Sequence, residues 1–196
     1  MTPELEAAYA EPHRRYHGRA HVEDCLAELA AVPGVSAAER RVLELAIWWH
    51  DAVYDPARPD NEERSAVRAE AALREAGEPA ALAAEVARLV RLTKGHAVEP
   101  GDRMGALLVS IDLSILGRLP EAYDAYAAAI RQEYAFVPED AWRAGRSAVL
   151  RRFLEADTIY PNEALRGRYE AAARGNLGRE LDRLTGCSTE GGAPDF

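Results

Sequence analysis

The sequence is poor in cysteine: Cys25 and Cys187 are the two it has in 196 residues, and they lie far apart. They form no C-x-x-C pair, so neither a zinc knuckle nor a redox motif is indicated, and in a reducing compartment both read as thiol bystanders. Basic charge is also scarce. With 24 Lys and Arg against 33 Asp and Glu, the formal net charge is −9 at pH 7. That charge repels nucleic-acid phosphates over most of the surface, which argues against a polymeric nucleic-acid partner, although a small basic pocket could still take one anionic substrate. No segment approaches the roughly 20 apolar residues that cross a bilayer. Met1 to Ala10 lack the basic-then-apolar order of a secretory leader. The expectation is a cytoplasmic protein with no membrane partner. Runs with the period-2 alternation of a strand are missing as well.

What is present is ordinary for a soluble globular protein: 48% hydrophobic and 29% charged residues. The length fits one domain that can bury a core without disulfides. Abundant alanine, and arginine in preference to lysine, favour helix. Periodicity broken by Gly and Pro predicts a short first helix ending near Glu11-Pro12, and a second from Arg19 to the stop at Val32-Pro33-Gly34. Ser36, with Glu39 three residues on, predicts a capping box opening a third helix, whose stripe of Val42, Leu43, Ala46, Ile47 and Trp49 ends in His50-Asp51. Asp60 with Glu63 opens a fourth helix closed by Gly77, and Pro79 starts a fifth that ends around Thr93 to His96. A sixth, apolar on most sides, is expected from Arg103 to Leu116. Three more begin at Pro120, Pro138 and Pro161, with proline in the first turn. The fold class is therefore all-α, a single-domain bundle of about nine helices over residues 1–184, with a disordered tail at 185–196.

Chemistry concentrates in few residues. His50 and Asp51 end an otherwise buried helix, and both can reach one ion only where the backbone leaves regular helix. Asp112 inside an apolar helix is a costly buried charge unless it is paired or bound to a cation. His21 lies one turn after His17 on the same face. Two imidazoles and two carboxylates suit a divalent ion such as Mn, Fe, Ni, Co or Zn, with positions open for water and substrate. The same residues also allow a structural reading, with His21 a hydrogen-bonding residue between helices, His50-Asp51 a helix end and Asp112 the partner of a buried arginine.

Taken together, the set resembles the HD superfamily, whose pattern is His, then His-Asp, then a distant Asp, each on a different helix. The resemblance is closest to a bacterial branch described as predicted metal-dependent phosphohydrolases. It rests on Tyr16 to His21, Trp49 to Pro56, Asp60 to Ala66, Asp112 to Gly117 and Arg131 to Tyr134, within a similarity from about Tyr9 to Leu181. One departure is Ser110, where an Asp is expected two residues before Asp112.

The resemblance implies an HD-domain-like bundle that holds one divalent metal ion (Mn, Fe, Ni, Co, Zn or Mg) through His21, His50, Asp51 and Asp112. It implies hydrolysis of a small phosphorylated, nucleotide-like substrate by a metal-activated water. Glu62 is then the favoured proton acceptor beside the ligand Asp51, with Glu63 and Asp55 as other candidates. His17, Lys94, His96 and Arg131 are the candidates for binding substrate, the last because a guanidinium grips phosphate bidentately. The tyrosines at 123, 126 and 134 are expected to pack. Two alternatives stand beside this reading: an HD-type oxygenase with two irons, which would have to recruit His17, His96 or Glu62, and a non-catalytic metal- or ligand-binding protein. A homodimer is compatible with all three.

Overall fold

The computed structural model describes residues 3–186, and among these there is no strand and 71% of the chain is helical. The helices are α1 (Pro3–Tyr9), α2 (Arg19–Ala31), α3 (Ala37–Trp49), α4 (Asn61–Glu75), α5 (Ala80–Leu92) and α6 (Arg103–Asp112). A 3-10 turn (Leu113–Gly117) follows, then α7 (Pro120–Glu133), α8 (Glu139–Glu155) and α9 (Glu163–Thr185). Among the described residues the chain forms the expected all-α bundle, with nine α-helices. No helix among the described residues is long and apolar enough to cross a membrane. The expected tail starts a residue early at its first position: α9 runs to Thr185, and Gly186 caps it in the left-handed conformation at φ 74°. Residues 187–196, with Cys187, lie outside the described residues.

Local chemistry sets several helix starts, with side-chain N-caps at Ser36, Asp102 and Asn162. The Ser36 hydroxyl accepts from the Glu39 N–H at 3.3 Å, while the Glu39 carboxylate accepts from the Ser36 N–H at 2.8 Å, which completes the expected capping box. The box expected at Asp60 does not form. Asp60 is drawn to Arg58 at 2.7–2.8 Å and Glu63 to Arg91 of α5 at 2.7–2.8 Å, because a carboxylate gains more from a guanidinium than from one backbone N–H. Among the prolines named as helix starts, Pro120 alone occupies the first turn. Pro79 and Pro138 are N-caps, and Pro161 precedes the true N-cap Asn162, whose side chain accepts from Leu165 N–H at 3.1 Å.

The sixth helix departs from expectation in a way that matters for the site. Regular α-helix stops at Asp112 and tightens into the 3-10 turn instead of running to Leu116. Side chains from the C-terminal third take up carbonyls in this stretch. Tyr160 Oη donates to Leu113 O at 3.0 Å, and Asn176 Nδ2 donates to Leu116 O at 2.8 Å and to Arg118 O at 2.9 Å. At Gly117 a Cβ would stand 2.5–2.9 Å from Tyr169, so only glycine allows α9 to lie this close.

Packing places the site at a junction. α5 buries Ala83, Val86, Ala87, Leu89 and Val90 between α3 and α4, and α9 packs on α8 and the 3-10 turn. The stripe Leu43, Ala46, Ile47 of α3 is fully buried, each large side chain contributing about 2 kcal/mol through removal from water. α2, α3 and α6 meet pairwise, and where they do, His21, the end of α3 and the end of α6 come together.

Candidate metal centre

α3 ends at Trp49, and His50 still closes a helical bond from its N–H to Ala46 O at 2.9 Å. The chain then turns away over Asp51 to Val53. Carbonyls freed by that turn are gathered by Arg14, whose Nη1 donates to Asp51 O at 2.6 Å and to His17 O at 2.9 Å, and whose Nη2 donates to Ala52 O at 3.4 Å. The guanidinium is buried against the rings of Tyr9 and Tyr54. Ser65 of α4 accepts from Val53 N–H at 2.9 Å and donates to its carbonyl at 3.3 Å. The turn is thus held from two sides, and it presents His50 and Asp51 in the same direction.

Four side chains expected from the sequence to share an ion meet there. His21 Nε2 lies 3.1 Å from His50 Nε2 and 3.1 Å from Asp112 Oδ1. Asp51 Oδ2 is 3.0 Å from His50 Nε2 and 3.9 Å from His21 Nε2, and Asp112 Oδ1 is 3.6 Å from His50 Nε2. Atoms each about 2.1 Å from a common ion stand roughly 3.0–3.4 Å apart when adjacent; the His21–His50, His21–Asp112 and His50–Asp51 distances have that spacing, and His21, His50 and Asp51 form one group whose ligand atoms all lie within 4.8 Å of one another. The orientation of His50 fits too. Its Nδ1–H donates to Ile47 O at 2.8 Å, which in the neutral ring leaves the lone pair of Nε2 facing the centre.

Electrostatics sharpen the fit. Both carboxylates are largely buried, at 15% side-chain exposure, and among the described residues no arginine or lysine side chain bonds either of them. Burial tends to raise the Asp51 pKa, but His50, His17 and His21 outweigh it and hold the carboxyl well below its usual range. Asp112 is likewise held down against burial, through hydrogen bonds from His21 and His96. For His50, burial lowers the pKa, while the Asp51 charge and hydrogen bond and the Asp112 charge lift it to about 9. Two anions and facing ring nitrogens balance as well with one divalent cation as with protons. Cys25 packs 3.8 Å from His21 Nδ1, where burial, with Asp112 and Asp51 nearby, pushes its thiol pKa well up, and it forms with His21 and Asp112 a second group whose ligand atoms lie within 4.8 Å of one another.

His96 reaches the other carboxylate oxygen, with Nε2 3.2 Å from Asp112 Oδ2. Its backbone is left-handed at φ 57°, an uncommon conformation for a residue with a Cβ, and its buried Nδ1 has no hydrogen-bond partner. His17 stacks on Tyr54, with ring centroids 4.3 Å apart, and its Nδ1 is 2.6 Å from Glu133 Oε2.

Glu133 was not singled out as a site residue from the sequence, yet it organises this region. Its Oε1 accepts the backbone N–H groups of Arg15, Tyr16 and His17 at 2.7–3.0 Å, and its Oε2 accepts the Tyr54 hydroxyl at 2.7 Å. Burial works to raise its pKa; the His17 and Tyr54 hydrogen bonds and the His17 charge outweigh that and bring it to about 2. A signal existed: Glu133 is the last residue of α7, where a negative charge opposes the helix dipole and needs another reason to be there.

A cavity of about 530 Å³ opens beside Asp112, His17 and His96 and runs between α7, α8 and the 3-10 turn. Lys94 and Arg131 do not line it. Lys94 is exposed after α5, close enough to Glu63 to lower its pKa, and Arg131 donates to Tyr134 O at 2.8 Å, to Val137 O at 3.4 Å and to Glu139 at 3.1 Å while lying over the Trp142 ring. Glu62, half-buried in the first turn of α4, is near enough to Tyr134 to raise the pKa of its phenol, though burial and Glu133 raise it more. Ser110 is fully buried and accepts from Asn162 N–H at 3.0 Å, so it holds the start of α9 in place of the carboxylate expected there. Among the expected packing tyrosines, Tyr123 is buried with its hydroxyl on Glu180, and Tyr126 and Tyr134 line the cavity. Searches for similarity found no matching family model, no matching curated protein and no matching solved structure.

Proposed function

We propose that this protein is a metal-dependent phosphohydrolase of the HD type. The observation that carries the reading is that the ring nitrogens of His21 and His50 lie 3.1 Å apart and each stands 3.0–3.9 Å from a carboxylate oxygen of Asp51 and of Asp112, with a cavity opening onto Asp112. Those four residues would hold one divalent ion. Such an ion supplies Lewis acidity, acidifying a water and polarising a phosphoryl oxygen. The chain supplies the rest. His17, with Nδ1 committed to Glu133, lines the cavity beside Asp112 and is the ring we assign to meet a phosphoryl oxygen. His96 lines the same end. Glu62 is the carboxylate we assign to take the proton of the attacking water.

A second reading has one observation in its favour. His96 Nε2 beside Asp112 Oδ2, with Nδ1 unpartnered, is the start of a ligand set for a second ion, as a dinuclear oxygenase would need. Elemental analysis of purified protein separates the two by stoichiometry. A screen of phosphomonoesters and phosphodiesters with Mn, Co, Ni, Mg and Zn then tests the hydrolase directly. One ion per chain with ester cleavage supports the proposal; two irons per chain and no cleavage would overturn it.

A further inference from the structure

The cavity restricts what the phosphate can be attached to. Its inner end is polar, formed by Asp112, His17 and His96, and the walls beyond are largely aromatic and aliphatic: Tyr126, Ile130, Trp142, Val149 and Phe153. No Asn, Gln, Ser or Thr lines it among the described residues. Of the two arginines in the wall, Arg146 is already bound by both oxygens of Glu180 at 2.8 and 3.0 Å and lies 3.4 Å from the Tyr126 hydroxyl, and Arg152 stands exposed at the rim with its guanidinium 5.2 Å over the Phe153 ring; the other polar groups in the wall are the hydroxyls of Tyr16, Tyr126 and Tyr134. A nucleoside or a sugar carries hydroxyl and amide groups that lose water on entering such a space and find few partners there, whereas an apolar body loses little and gains the contact.

Gly145 points the same way. It lies inside α8, where glycine weakens a helix relative to alanine, and its backbone neither has a positive φ nor approaches a neighbour. Gly145 lines the cavity at an exposed position, and a Cβ there would meet nothing within 4 Å, so a larger side chain would extend into the open mouth of the cavity.

We propose that the cavity takes a phosphate ester of an apolar, aromatic-sized alcohol in preference to a nucleotide or sugar phosphate, and that Gly145 sets how much of that body fits. The proposal rests on the hydrolase reading for the phosphate end and on the cavity alone for the rest. The test uses Mn-loaded protein and two readouts. Hydrolysis of 1-naphthyl phosphate is compared with that of AMP and glucose 6-phosphate, and binding of the non-hydrolysable naphthylmethylphosphonate is compared with that of methylphosphonate by calorimetry. The naphthyl compound should bind at least tenfold tighter than methylphosphonate. Gly145→Leu should reduce that preference at least tenfold at unchanged helical content. Val149→Asp, at a position already 39% exposed, should act in the same direction. Cleavage of AMP as fast as naphthyl phosphate, or naphthyl binding untouched by Gly145→Leu and Val149→Asp, overturns the proposal and leaves the hydrolase standing. The expected binding pattern with no ester cleaved supports the cavity assignment and removes the hydrolase.

Discussion

Buried carboxylates in this protein are balanced in two ways, by arginine in the helix-packing contacts and by histidine at the candidate centre. Glu180 on α9 accepts from Nε and Nη2 of Arg146 and from the Tyr123 hydroxyl, and Glu28 on α2 is met by Arg118, Arg168 and the Tyr169 hydroxyl. Each is a closed arrangement whose charge is balanced by a side chain that does not titrate in the accessible range. Asp51 and Asp112 face histidines instead, and the nearby Arg14 donates to the Asp51 carbonyl rather than to its carboxylate. Imidazoles can give up protons to a cation, while guanidinium groups cannot. Under the proposed function, that difference separates the clusters that hold the fold together from the one that would take a metal ion.

Four experiments would break or sharpen that contrast. Asp51→Ala should have the largest effect, lowering metal retention by more than about 100-fold and abolishing hydrolysis, because it removes an anionic ligand. Full activity without metal in this variant would end the hydrolase reading. Glu62→Gln should keep its metal, as measured by elemental analysis, and lose about 100-fold in rate, since the amide cannot accept the proton of the water. A wild-type rate would make Glu62 a helix-start residue only.

Glu180→Gln probes the closed arrangement. It leaves Arg146 buried without its anion and should cost about 3 kcal/mol in chemical denaturation, with metal content unchanged. A loss of metal there would mean the two regions are coupled.

The smallest effect is in pH. The raised His50 pKa, about 9 against an ordinary 6.5, stabilises the metal-free protein fully below pH 6.5, and this contribution is lost as pH rises through about 9. The depressed Asp51 pKa contributes above its ordinary 3.8 and is lost as pH falls below that. Metal requires the neutral His50 ring, so affinity should rise with pH up to about 9, with about one proton released per ion at pH 7. Calorimetry in buffers of different ionisation enthalpy measures that proton; zero release would show that His50 is not displaced by the ion.

The sequence by itself determined the elements, because helix period and end chemistry are local. The stripe of α3, the Ser36 capping box and the Gly and Pro breaks depend on neighbours a few residues away. The four centre residues were legible as a pattern of His, His-Asp and an Asp stranded in an apolar helix. Only the tertiary structure decided what surrounds them. Contacts over more than 100 residues bind Glu133 to the segment before α2, and side chains from the C-terminal third meet the carbonyls of the 3-10 turn that follows Asp112. Lys94 and Arg131 were named for their charge, which sequence can read, and the fold directed them elsewhere, which it cannot. A residue's chemistry is carried in its own side chain, but its partners are chosen by packing between distant parts of the chain, and that choice appears only when the helices are brought together.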